Sequence, residues 1–200
     1  MTSPGCADAT GRYLPLVCTL NAARILDAAC RILEKNHDEV AQLALAAKPG
    51  ANGLTLLPYF EGERTPNRPK ATGVFAGMNL NNSNQEDIAR AMVEGMLAGL
   101  ADAVDALVAL GVGVNRILLI GGAAKNSAVP VIASALFGRE VLVPPAGEYV
   151  ADGAAKQAAW ALLGEMPTWN LGEVTHHTSV ATPDVMARYK ELKGNTESWS

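Results

Sequence analysis

Ile117-Leu118-Leu119-Ile120-Gly121-Gly122-Ala123-Ala124-Lys125-Asn126-Ser127 is the most informative stretch of this chain. The apolar run at its head has the length and flanks of a strand buried on both faces. Gly121 and Gly122 then let the backbone turn sharply and leave no side chain in the way of an approaching ligand. Asn126 or Ser127 can cap the helix that follows, whose free N–H groups and positive dipole end favour an anion or a polar ring. Any mononucleotide-binding α/β protein can use such a turn, and so can an ordinary strand-to-helix connection with glycines for packing. Two better-known phosphate loops are excluded by spacing. A dinucleotide fingerprint needs Gly-x-Gly-x-x-Gly, which residues 121–126 do not supply, and no stretch fits Gly-x-x-x-x-Gly-Lys-Ser/Thr. Lys125 therefore reads as an exposed lysine at a helix start.

Working outward, the helix after the turn runs to Phe137 and stops at Gly138, and a strand over 140–143 closes at Pro144-Pro145. An alanine-rich helix over 151–163 follows, with Asp152 as its expected cap. Strand–helix–strand–helix predicts a parallel βαβα unit with a right-handed crossover. Upstream, Ser83-x-x-Glu86 reads as a capping box, and Ile88, Met92, Met96, Leu100, Val104 and Leu107 follow as one stripe of a long helix ending at Gly111. Gly95 and Gly99 lie close to that stripe and suggest close packing on a sheet. Nearer the start, a strand is expected over 11–18, helices over 21–33 and 38–47, and strands over 54–59 and 73–78. The Gly/Pro-punctuated run from Glu61 to Pro69 must be an irregular loop. Residues 1–165 read as one α/β domain, and 166–200 as a polar, turn-rich tail with a short helix near 183–192.

Composition narrows the function. A chain of 200 residues, 49% hydrophobic, can bury one full core. A net charge of −4 without a basic run argues against nucleic-acid binding. No apolar stretch is long enough to span a bilayer and the start is not a signal peptide, which predicts a soluble, cytoplasmic protein. Cys6, Cys18 and Cys30 are odd in number and lack C-x-x-C spacing, against a disulfide framework or a zinc site. His37, His176 and His177 show no metal or triad pattern and read as surface residues.

Gly73-x-Phe75-x-Gly77-Met78, eight residues, then Asp87-Ile88-x-x-Ala91-Met92-Val93-Glu94 resembles the second signature of the FGGY carbohydrate kinases. Leu57-Pro58-Tyr59-x-x-Gly62-Glu63-Arg64-Thr65-Pro66 resembles the branch of that family acting on xylulose. The resemblance implies a ribonuclease-H-like, actin-like ATPase fold: here the C-terminal domain only, a mixed sheet flanked by helices and lacking its first strand. It implies ATP, with Mg2+ carried by ATP, as cosubstrate, and a missing N-terminal kinase domain as partner. The sugar pocket, the first phosphate loop and the catalytic aspartate belong to that other half. No Asp-x-Gly-Thr occurs in these 200 residues, so the isolated chain is expected to be inactive. Gluconate, ribulose or glycerol kinases of the family, and a non-catalytic nucleotide-binding or assembly module, are the alternatives.

Carried over residue by residue, Gly121, Gly122 and Ala123 match the family's adenosine-contacting turn, and Asn126 matches the asparagine on the adenosine side of ATP. Asn21 or Ala22 falls where the first helix of this domain borders the adenine. Glu63 and Arg64 match a loop near the substrate and the domain interface, although an ion pair between them, stiffening the loop, explains them equally well. Glu94 reads as structural. The missing strand is central in such a sheet, so a gap beside the strand over 116–120 would leave ladder groups unpaired. That strand is expected to be closed by another segment of the chain or by a second copy in a homodimer.

Overall fold

The computed structural model describes residues 5–170 and 172–199; residues 1–4, which carry the reading of the start, lie outside them. A hairpin of β1 (Gly5–Ala7) and β2 (Tyr13–Pro15) leads into α1 (Arg24–Leu33) and α2 (His37–Ala46). A second antiparallel pair joins β3 (Thr55–Leu57) to β4 (Val74–Ala76) across the long loop. Then come α3 (Gln85–Ala109), β5 (Ile117–Leu118), α4 (Ala128–Phe137) and β6 (Val141–Val143). The chain continues through α5 (Tyr149–Leu163), β7 (Thr175–His177) and α6 (Pro183–Asn195).

Helix α3 forms the centre of the molecule. Its apolar stripe widens until every residue from Ala89 to Ala98 is buried, because α1, α2, β3, α4 and α6 all pack around it. Met92, Met96 and Leu97 meet Ile25 and Ala29 of α1, Val40 and Ala44 of α2, Leu56 and Leu57 of β3, Ile132 of α4 and Tyr189 of α6 in one cluster. Burying each large side chain contributes about 1.5–3 kcal/mol. Two carboxylates on α3 are held inside. Glu94, 3% exposed, accepts from Arg90 Nε at 2.6 Å and from the Gly50 N–H at 2.9 Å, in keeping with its structural reading. Asp87, 2% exposed, accepts from the side-chain amides of Asn52 and Asn84 at 2.9 and 2.8 Å.

The caps differ from the sequence reading. The N-cap of α3 is Asn84, one residue after the expected Ser83: Asn84 Oδ1 accepts from the Asp87 N–H at 2.9 Å. Asparagine caps as well as serine, and at this position it also reaches the Asp87 carboxylate, so the Ser83–Glu86 box is displaced. Asp152 does not cap α5, which begins earlier, after Glu148; it lies in the first turn, where a carboxylate still complements the helix dipole. Ser127 is already helical and offers no side-chain cap to α4, whereas Asn126 Oδ1 accepts from the Ala128 N–H at 3.0 Å.

The expected β-α-β unit forms. β5 and β6 are parallel, with Ile117 opposite Val141, and β7 adds to β6 antiparallel, completing a mixed sheet in the order β5-β6-β7. β7 was not foreseen, and the segment read as a tail also supplies α6, whose Val185, Tyr189 and Leu192 enter the core. The closed β5 edge is not observed within the chain. Among the described residues β6 is its only ladder partner, and an apolar groove lined by Leu100, Val104, Leu107, Leu118 and Phe137 runs alongside. The strand is two residues long, Leu118 is 47% exposed and Ile120 51%, so few ladder groups are orphaned and water reaches them. Helix α5 buries none of its residues; Val150 and Leu162 are exposed.

Candidate functional site

The site begins where β5 ends. Gly121 adopts φ 95° and ψ −176°, a conformation essentially restricted to glycine, and Gly122–Lys125 form a 3-10 turn before α4. A Cβ placed on Gly122 would meet nothing within 4 Å, so this backbone faces open space. Asn126 stitches the turn in place: besides capping α4, its Nδ2 donates to the His37 carbonyl at 3.4 Å. This bond ties the turn to the start of α2.

Clefts flank the turn on both sides. One, of about 340 Å³, brings Gly122, Ala123 and Asn126 against Ala23, Leu26 and Asp27 of the first helical segment, with His37, Asp38 and Lys125 at its rim. The other, of about 510 Å³, lies between the turn and the segment after β6, with Gly121, Lys125, Pro145, Gly147 and Tyr149 among its walls. The first contains three residues named from the sequence. Its other wall is the start of α1, where the residues that reach the cleft are Ala23, Leu26 and Asp27 rather than Asn21 or Ala22. Helical spacing already placed Leu26 on a face of α1; what the sequence did not carry was that α1 and the turn meet.

Asn21 is buried elsewhere. Its Nδ2 donates to the Gly62 carbonyl at 2.6 Å and to Glu63 Oε2 at 3.0 Å. Glu63, 3% exposed, also accepts backbone N–H groups from Leu20 at 2.8 Å and Arg64 at 2.7 Å. The carboxylate thus pins the loop to the segment leading into α1. Arg64 contributes its backbone to Glu63 while its guanidinium donates to Cys18 Sγ at 3.3 Å, which replaces the expected Glu63–Arg64 ion pair. The far end of the loop is held by Arg68, which stacks over Tyr59 and donates to the carbonyls of Lys193 and Thr196 at the end of α6.

His37 is exposed, as expected of a surface residue, but its ring lies between two partners. Cys30 Sγ is 3.5 Å from Nδ1 and Asp27 Oδ1 3.3 Å from Nε2. No spacing rule could show this triad, because its members sit on two helices. Burial, then the Asp27 charge, push the Cys30 thiol up. Among the described residues no group of three or more His, Cys, Asp or Glu side chains is placed to hold a metal ion. No helix among them is long and apolar enough to cross a membrane.

A mixed α/β domain with a glycine turn at its parallel strands is the class that this geometry defines. Residues 6–162 match the FGGY family of carbohydrate kinases, C-terminal domain, and the chain belongs to that family. It is 38% identical over 167 residues to the xylulose kinase of Streptomyces rubiginosus, covering 83% of this chain and 33% of that protein. With the xylulose kinase of Haemophilus influenzae it shares 36% identity over 149 residues, 74% of this chain and 30% of the relative. The crystal structure of xylulose kinase from Bifidobacterium adolescentis superposes with a TM-score of 0.85 at 49% identity, over 96% of this chain and 38% of that one. Ligand-bound xylulose kinase from Lactobacillus acidophilus shares the fold, with a TM-score of 0.80 at 21% identity, over 98% of this chain and 42% of that one. The chain therefore spans about a third of the length of the curated relatives it matches.

Proposed function

We propose that this chain forms the nucleotide-binding C-terminal part of an ATP-dependent sugar kinase whose acceptor is a ketopentose such as D-xylulose. The observation that carries this reading is the cleft in which Gly122, Ala123 and Asn126 face α1. Adenine would lie against the bare backbone at Gly122, between the turn and the apolar Ala23 and Leu26. The Asp27 and Asp38 carboxylates on the same rim accept hydrogen bonds from ribose hydroxyls. Asn21 and Glu63 serve as positioning residues that fix the entry to α1, and Arg64 stands on the loop facing the rest of the kinase. Magnesium would arrive with the phosphates of ATP. The xylulose kinases among the relatives and the Gly62-Glu63-Arg64-Thr65-Pro66 loop support this acceptor. We place the protein in the cytoplasm, where a soluble metabolic kinase works.

Phosphoryl transfer depends on positioning and charge stabilisation from both walls of a cleft. The chain alone should therefore give no pentulose-dependent ADP release in a coupled assay, and sugar-stimulated turnover free of contaminating kinase would contradict this. One wall should still hold nucleotide weakly, with a dissociation constant on the order of millimolar, roughly 4 kcal/mol. Gly122→Val is the sharpest test, because a Cβ placed there meets no protein atom within 4 Å and the added bulk starts in the open space where the ligand would lie. Titration of ATP followed by its adenine proton resonances should show binding to the chain and none to the variant. Equal binding by both would place the nucleotide elsewhere.

A further inference from the structure

Cys30, His37 and Asp27 stand in the order thiol, imidazole, carboxylate, with both ring nitrogens occupied at 3.5 and 3.3 Å. Their placement is fixed by local structure. Asp27 and Cys30 are three residues apart and share one face of α1. His37 is the first residue of α2, whose start is locked by a capping box: Asn36 Oδ1 accepts from the Glu39 N–H and Glu39 Oε2 from the Asn36 N–H, both at 2.9 Å. Asp27 and His37 also line the cleft assigned to the nucleotide, and Cys30 sits half-buried directly behind them.

We infer that Cys30 is a site of thiol–disulfide exchange with neutral low-molecular-weight disulfides, with His37 as the base that takes its proton and Asp27 as the positioning residue of that base. In the step, Cys30 Sγ attacks one sulfur of the disulfide and a new S–S bond forms as the old one breaks. The S–H proton passes to His37 Nδ1, and the departing thiolate recovers it to leave as a thiol. Cys30 is oxidised to the mixed disulfide and one half of the reagent is reduced, so no further oxidant is needed. Burial and Asp27 keep the resting thiol protonated, and the carbonyl end of α1 works in the same direction. Reaction therefore depends on a base acting during attack rather than on a standing thiolate. The charged and titratable groups facing the triad are Asp27 and Arg31 from α1, His37 and Asp38 from α2, and Lys125 from the turn. Its consequence rests on the nucleotide reading: a group attached to Cys30 crowds the Asp27–His37 wall, so modification and nucleotide binding should oppose each other.

The test is exposure of the protein to bis(2-hydroxyethyl) disulfide at about pH 7, with the modified peptides of Cys6, Cys18 and Cys30 quantified by mass spectrometry over time. Thermal melting of each variant confirms that it folds. His37→Gln should slow modification of Cys30 roughly tenfold or more and leave Cys6 unchanged. Asp27→Ala, which takes away the partner of His37 Nε2, should slow modification of Cys30 where His37 is present and have no such effect in a His37→Gln background, a dependence that mere packing would not produce. Equal Cys30 rates in the unaltered protein and His37→Gln, or an equal slowing by Asp27→Ala with and without His37, would overturn the proposal. ADP should slow modification of Cys30. If ADP leaves the rate unchanged while His37→Gln still lowers it, the thiol site stands and the nucleotide cleft fails.

Discussion

A methyl group added at Gly95 would lie 2.6 Å from the Leu56 carbonyl oxygen, whereas at Gly99 its nearest neighbour is the Tyr189 hydroxyl at 3.5 Å. The first distance forces α3 away from β3; the second is ordinary contact. Gly95→Ala should therefore cost about 1–3 kcal/mol, as overpacking does. Gly99→Ala should be neutral or stabilising by up to about 1 kcal/mol, from helix propensity alone. Chemical denaturation of the two variants measures both, and equal losses would contradict the packing described. The sequence pointed to both glycines because both lie near the apolar stripe, but only Gly95 meets a backbone. Glu63 and Asn21 show the same limit. Each was legible as a residue of interest, and neither sequence neighbourhood says that the two bind one another across more than forty positions. Asp27 and His37 carried no signal of their own, since their importance arises from the turn that packs opposite them.

At the scale of elements, helices were read well because periodicity and glycine stops are local, whereas caps shifted by a residue or more. α1, α2, α3, α4 and α6 all stand within a few residues of their expected bounds. The strands shrank to two or three residues, since ladder pairing depends on distant partners. β7 escaped notice because Thr175-His176-His177 lacks an apolar run and owes its pairing to Val141–Val143. Helix α6 carries a consequence of its own, for its Tyr189 is buried against Tyr59. Burial pushes the Tyr59 phenol up to about 12, and burial together with the facing Tyr59 pushes Tyr189 further in the same direction. An acid whose pKa is raised by folding stabilises the fold fully below its unfolded value and loses that contribution as pH rises through the folded one. The thermal midpoint should therefore fall as pH climbs from the ordinary tyrosine value of 10.0 towards about 12. Tyr59→Phe should flatten that fall, and an identical slope in the variant would show that the pair is not protected as described.

At the scale of the whole molecule, the open edge of β5 and the apolar groove beside it lie in the half of the fold that carries the glycine turn, and α5 is uncovered along its length. The core around α3 closes without α5, which buries none of its residues. The central claim, that adenine enters between the turn and α1, faces a rival on the same molecule, because a larger cleft opens on the other side of Gly122. A crystal structure of the protein with ADP distinguishes them directly. The base should rest on Gly122 and Ala123 with Ala23 and Leu26 opposite, and density for it in the cleft of Pro145, Gly147 and Tyr149 instead would contradict the account.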